Sequence, residues 1–211
     1  MKAFLRIFLI LVVILLILAA AFIAKYPFYA PWYRAAHSAE DYKLLVESTT
    51  KPESGVTLIQ AFNDRYPYWL GTRWNFNGIS EVPGSGSIAC GYFVTTMMRD
   101  MHFDINRVKL AQCASEEMIK ALVDEKHIKR YNLVESDLMF DNIRKQKQNL
   151  YIIGLDNHTG FVYNDGDDIW FIHSSGSFPY CVMKEDATAC NTITDSRYKV
   201  LGCISQSDIL F

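Results

Sequence analysis

Three residues in this chain combine a nucleophile with two bases in an order that supports acyl-transfer chemistry. The first is Cys90, within Ser87-Ile88-Ala89-Cys90-Gly91-Tyr92-Phe93-Val94, where a loop carrying Pro83, Gly84 and Gly86 ends and a helical pattern begins. A thiol at a helix start faces the unpaired N–H groups of the first turn and the positive end of the helix dipole. Both favour the thiolate, so its pKa is expected below the ~8.5 of a free thiol. The same N–H groups can hold a developing oxyanion. Gly91 is expected to leave room beside the sulfur for a substrate. The plain alternative is a small buried cysteine filling a helix core, which is common.

The two bases are histidines at strand positions. His158 opens His158-Thr159-Gly160-Phe161-Val162, where the small Thr159 and Gly160 are expected to let a substrate come close. His173 lies in Phe171-Ile172-His173-Ser174-Ser175. Between them, Asn164-Asp165-Gly166 is a strong hairpin signal. A turn there brings the two imidazoles to similar heights on adjacent or near-adjacent strands. The second ring can then fix the tautomer of the first, as the third member of a triad does. Taken singly, His158 reads as a capping or surface residue and His173 as an ordinary sheet residue. Their order after a helix-start cysteine is far more specific than any one of them.

The elements that must position these residues follow from the periodicity. Helical patterns cover Val56 to Tyr66, Cys90 to Met101, Asn106 to Ala114, Ser115 to Lys126 with Ser115 as its cap, and Asp137 to Gln148 with Ser136 as its cap. In the second of these, Phe93, Val94, Met97, Met98 and Met101 form an apolar stripe and are expected in the core. The pattern then changes to short β-rich runs at Leu150 to Leu155, Thr159 to Tyr163, Ile169 to His173, Tyr180 to Met183 and Tyr198 to Ile204. Helices followed by a β-meander imply an α+β fold with an antiparallel sheet. Pro67 to Ser87 reads as a loop carrying Trp69, Trp74 and Phe76.

Upstream, Lys2 and Arg6 precede an unbroken apolar run from Ile7 to Ala24, 18 residues that as a helix span about 27 Å, close to a hydrocarbon core of ~30 Å. Tyr26, Phe28, Tyr29, Trp32 and Tyr33 follow as an interfacial belt. The charges ahead of the run orient the bulk of the chain outward. A cleavable signal peptide is the competing reading, because Ala19 and Ala21 have the spacing of a cleavage site. The expected organisation is therefore a transmembrane anchor or signal peptide over 1–25, a linker over 26–55, within which Ser38 can cap a short helix, and a folded domain over 56–211.

The 211 residues are 50% hydrophobic and 21% charged, which excludes a disordered chain. A net charge of −2 gives no electrostatic reason to expect nucleic acid. Of the five cysteines, Cys181 and Cys190 flank a short polar stretch and could staple a hairpin, with Cys203 another partner; Cys113 is unassigned, and an odd count leaves one thiol free. There is no C-x-x-C, and Cys90, His158 and His173 lack the close ligand spacing of a zinc site. The Asp165, Asp167, Asp168 run reads as a solvated hairpin tip rather than a calcium loop. No metal or cofactor is called for.

Three blocks, in order, resemble the NlpC-type cell-wall cysteine peptidases, whose core is papain-like. Tyr68-Trp69-Leu70-Gly71-Thr72 is similar to the family's Tyr-x-x-Gly-Gly. Ile88 to Val94 is similar to its Asp-Cys-Ser-Gly-Phe-Val, with Ala89 for the Asp and Gly91 for the Ser. His158 to Val162 with Ile172-His173 is similar to its His-Val-Gly-Ile-Tyr and following hydrophobic-His pair. The resemblance implies Cys90 as nucleophile, His158 as base and His173 as the orienting residue. It places Tyr68 near the sulfur, with Gly91 and Trp74 on the substrate side. The implied substrate is a peptidoglycan stem peptide or peptide-like amide. Related chemistries on this fold include acyl transfer and deacylation, and a third class is an inactive envelope-anchored binding module.

Overall fold

The structure is a computed structural model and describes residues 2–211, with side chains from Phe4 onward. The chain forms two compact units, one ending at Ser38 and one running from Ala39 to Phe211. In the first, helix α1 (Lys2–Lys25) is apolar between Arg6 and Lys25. An 18-residue window within Phe4–Lys25 has a mean hydropathy of 3.5, so the helix is long and apolar enough to cross a membrane. Pro27 and Pro31 then start a 3-10 turn (Pro27–Tyr29) and helix α2 (Pro31–Ala36), proline being preset for a first helical position. Phe22 stacks on Tyr29 at 5.5 Å, which gathers the aromatic residues at the end of α1.

The second unit begins with α3 (Ala39–Ser48), α4 (Gly55–Trp69) and two short parallel strands, β1 (Arg73–Trp74) and β2 (Ser87–Ile88). Then come α5 (Cys90–Asp100), α6 (Arg107–Gln112), α7 (Ser115–Leu122), β3 (Ile128–Asn132) and α8 (Ser136–Arg144). The chain closes with β4 (Asn149–Gly154), β5 (Thr159–Asn164), β6 (Ile169–Ser174), β7 (Val182–Asp186), α9 (Asn191–Thr194) and β8 (Tyr198–Cys203). Six strands form one antiparallel sheet in the order β3-β8-β4-β5-β6-β7. The fold is α+β with an antiparallel sheet, as the change of period implies.

Strands β4 and β5 are buried along their whole length, because helices cover both faces of the sheet. Successive residues alternate between two cores. Leu150, Ile152, Phe161 and Ile172 meet Leu58, Phe62 and Phe93. Tyr151, Ile153, Val162 and Phe171 meet Met139, Phe140 and Ile143 of α8. In α5 the stripe Phe93, Val94, Met97, Met98 with the following Met101 is fully buried, which seats that helix on β5 and β6.

Several local expectations change. Helix α8 has Glu135, not Ser136, as its N-cap and ends at Arg144, and α4 runs on through Pro67, so that Trp69 is helical and not in the loop. The N-cap of α7 is Ala114, not Ser115, and α7 ends at Leu122. The residues after it form β3, whose charged Lys129 and Arg130 masked the strand pattern while Ile128 and Tyr131 point inward. And α3, within the stretch read as a linker, is built into the second unit. Its Tyr42 hydroxyl donates to Asp100 Oδ2 at 2.7 Å, and Arg65 Nε of α4 donates to the Asp100 carbonyl at 3.0 Å. Burial and the Asp100 charge hold the Tyr42 hydroxyl firmly protonated.

Tyr42→Phe leaves the buried Asp100 one donor short. Unfolding in urea is expected to show a loss of about 1–3 kcal/mol. A loss under about 0.5 kcal/mol, the range of surface substitutions, would mean that α3 is not part of the cooperative unit.

Candidate active site

Cys90 is the first residue of α5, and its backbone is held from both sides. Ala89 N–H donates to the Gly78 carbonyl at 2.9 Å. Ser174 Oγ, one residue beyond His173, donates to the Ile88 carbonyl at 2.7 Å. The strand carrying the second histidine is therefore tied directly to the turn carrying the thiol. Ala89, the N-cap, has extended backbone (φ −81, ψ 161) and no side chain able to cap. The first N–H groups of α5 thus have no side-chain cap, where a Ser, Thr or Asp would have taken one, and those of Cys90 and Gly91 act on the sulfur itself.

His158 lies just ahead of β5 in a tight loop closed by the Leu155 N–H to His158 carbonyl bond at 2.8 Å. Asp156 braces this loop by accepting from the backbone N–H groups of Arg197 and Tyr198, at 2.9 and 3.1 Å. His158 Nε2 and His173 Nδ1 are 2.7 Å apart, and His173 Nε2 is 2.8 Å from Glu185 Oε1. Cys190 Sγ donates to the same oxygen at 3.1 Å. Two donors on one oxygen fit an ionised carboxylate, which only accepts. His173 Nε2 then carries a hydrogen, its Nδ1 accepts, and His158 Nε2 donates. This assignment leaves the lone pair on His158 Nδ1.

Strand register explains how the two rings meet. Phe161 pairs with Ile172, which sets Gly160 opposite His173. A Cβ on Gly160 would sit 2.7 Å from both His173 Cβ and the Phe171 ring. The glycine therefore makes space for the second imidazole, not for a substrate as the sequence implied. Phe171 covers that imidazole with its ring, 3.9 Å centroid to centroid and 16° from parallel, and His173 is 1% exposed.

Burial, then the neighbouring His173, push the His158 pKa down to about 3. His173 is pushed down by burial, with the Glu185 hydrogen bond and charge opposing. Cys90 goes the other way from expectation. Burial raises its pKa, and hydrogen bonds from the backbone of Thr159, Gly91 and Cys90 only partly offset it. The helix start attracts the thiolate, but removing water from the sulfur weighs more. The pair therefore rests as neutral thiol and neutral imidazole, and a thiolate forms only when a proton moves.

Two clefts meet at this pair. One of about 1110 Å³ is lined by Trp74, Phe76 and Ile79 and by Asn191, Asp195 and Arg197. One of about 450 Å³ runs past Cys113, Glu116 and Tyr198. Cys90, Gly91 and His158 line both. Of the residues singled out in the sequence, Cys90, His158, His173, Gly91 and Trp74 share the larger cleft. Tyr68 lines neither cleft; its ring packs on Tyr42 at 5.5 Å. The missing side chain of Gly91 faces α6, where a Cβ would lie 2.5 Å from the Ala111 carbonyl oxygen. Glycine there serves the helix contact, not substrate access.

Glu185 was not legible as a site residue. Its signal was an acid on the same strand face as Met183, which pairs with His173, but that requires the strand register. All five cysteines are free. The staple expected from Cys181 and Cys190 is absent, since Cys190 is spent on Glu185 and its thiol is pushed up to about 11 by burial and that carboxylate. Donor atoms of His173, Glu185 and Cys190 lie within 4.8 Å of one another. The two hydrogen bonds inside this trio account for its closeness with protons in place, so it reads as a hydrogen-bonded cluster and not a metal centre. No protein-family model, curated protein or solved structure matches this chain.

An unfolded histidine titrates near ~6.5, while folded His158 titrates near 3. Below ~6.5 the unfolded chain takes up a proton that the folded chain refuses, so stability present above ~6.5 is lost as the pH falls toward 3. From pH 7 to pH 5 the wild type is expected to lose about 1–2 kcal/mol more than His158→Gln in urea unfolding. Equal losses would show that His158 is not buried as a neutral base.

Proposed function

We propose that the second unit is a cysteine hydrolase that cleaves amide bonds through Cys90. The observation that carries this reading is the His158–His173–Glu185 hydrogen-bond chain, which leaves the second nitrogen of His158 without a proton on a residue that lines the same clefts as the Cys90 thiol. His158 Nδ1 takes the Cys90 proton as the sulfur attacks the amide carbonyl. The N–H groups of Cys90 and Gly91, uncapped by any side chain, turn from the sulfur to the oxyanion as it develops. His158 then gives its proton to the leaving amine, and water attacks the thioester with His158 again as base. A helix-start thiol against an antiparallel sheet bearing the histidines is consistent with a papain-like core of the NlpC type.

Two clefts converging on one thiol suit a chain-like substrate that extends to both sides of the scissile bond. With Lys2 and Arg6 ahead of the apolar run of α1, the positive-inside rule favours an enzyme outside the cytoplasm, which together with the resemblance favours peptidoglycan stem peptides. A second reading, acyl transfer or lipid deacylation, is favoured by one feature. Phe76 and Ile79, on the wall of the larger cleft, are 80% and 60% exposed, an apolar surface that an acyl chain would cover.

Purified sacculi and long-chain acyl thioesters distinguish the two readings. Wild type is expected to release stem-peptide fragments, and Cys90→Ala to lose activity by at least about 10³-fold. Equal release by wild type and variant would sink the hydrolase reading. Turnover of the acyl thioesters alone would replace the substrate with a lipid.

A further inference from the structure

Resting on the cysteine-hydrolase reading, we propose that the proton drawn from Cys90 does not leave its charge on His158: the positive charge comes to rest on His173, and Glu185 is the positioning residue that holds it there.

The geometry carries this. Cys90 gives its S–H proton to His158 Nδ1. In the same event the His158 Nε2 proton crosses the 2.7 Å bond to His173 Nδ1, and His173 keeps its Nε2–H on Glu185 at 2.8 Å. The products are a thiolate, a neutral His158 protonated at Nδ1, and an imidazolium on His173 beside a carboxylate. When the amine leaves, His158 Nδ1–H protonates it and Nε2 recovers its proton from His173. No electrons are exchanged; the thiol proton leaves with the amine and is replaced from water when the thioester is hydrolysed.

The two rings differ in what surrounds them. Among the described residues, the one side-chain hydrogen bond of His158 is to His173. The nearest acid in its loop, Asp156, is already committed to Arg197 and Tyr198. A cation on His158 would therefore be half-buried with no counter-charge, which is costly. His173 faces Glu185 from β7, Cys190 from the turn after β7, His158 from the loop before β5, and the Cys90 cleft; its own strand offers only the Phe171 ring. Asp195 and Arg197 are at the cleft rim. The one carboxylate on either ring is Glu185. Cys190 donates to the oxygen of Glu185 that accepts from His173.

Alkylation of Cys90 by iodoacetamide, resolved from Cys113 by mass spectrometry and followed from pH 5 to pH 10 on the full chain, tests this without any substrate. Glu185→Gln is expected to move the Cys90 titration up by one pH unit or more and to slow alkylation at pH 7 at least tenfold. Glu185→Asp should recover part of the rate. A Glu185→Gln profile superimposed on wild type overturns the proposal. Should that variant unfold, ¹⁵N-histidine spectra of the wild type decide: as the Cys90 thiolate forms, doubly protonated nitrogens on His173 support the relay, and on His158 overturn it. Because the readout is thiol reactivity, inertness toward sacculi would sink the substrate assignment and leave this result standing.

Discussion

The hydrogen bond between a half-buried imidazole, His158, and a buried one, His173, governs this site. A neutral imidazole has one donor and one acceptor, so a pair of them transmits direction. Whatever holds the proton on the far nitrogen of His173 decides what the near nitrogen of His158 presents to the thiol. Here the far nitrogen meets Glu185, and the direction follows. Much of the local structure serves that bond. Gly160 gives up its side chain to the ring of His173. Phe171 roofs it, and Ser174 ties the same strand to the turn that carries Cys90. Burial makes the bond strong and also keeps both rings neutral, because a desolvated imidazolium without a counter-ion is unfavourable.

The scaffold supplies rigidity where the site needs it. Both faces of the sheet are packed, and β5 and β6 belong to two cores at once through alternate residues. A strand held that way has little freedom to slip, since a one-residue shift would exchange its two faces. Helix α5 is anchored by its buried methionine and phenylalanine stripe, and its far end by the Tyr42, Arg65 and Asp100 group. Its near end, by contrast, lacks a capping side chain. An uncapped first turn gives up roughly 1 kcal/mol of helix stability. In return, its N–H groups remain uncapped for a substrate oxygen, a local weakness of the sort that concentrates at functional sites.

The thiol shows two effects of opposite sign meeting at one atom. Helix N–H groups lower the cost of a negative sulfur, and the loss of water raises it. The second is larger for Cys90. A thiol tuned this way stays protonated until a neighbouring base accepts its proton, which limits stray oxidation and alkylation. Its reactivity then depends on the relay behind His158 more than on the helix in front of it.

Much of this was written in the chain. The long apolar run, the change from helical to alternating periodicity, the Asp165-Gly166 turn and the order Cys90, His158, His173 are all local patterns, and local patterns survive reading one residue at a time. The α5 stripe was legible for the same reason. What depends on distant residues meeting was not. Whether Gly91 makes room for a ligand or for Ala111, whether Tyr68 reaches the sulfur or packs on Tyr42, and that β3 pairs with β8, far along the chain, were settled by packing. The sign of the Cys90 shift belongs to the same class, since desolvation is a property of everything that surrounds an atom. So does Glu185, which became a partner of His173 only when the register of β6 and β7 brought them face to face. Sequence determined which groups could do the chemistry; the tertiary structure alone decided which way their protons point, because hydrogen-bond direction and burial are set by neighbours that the chain order does not name.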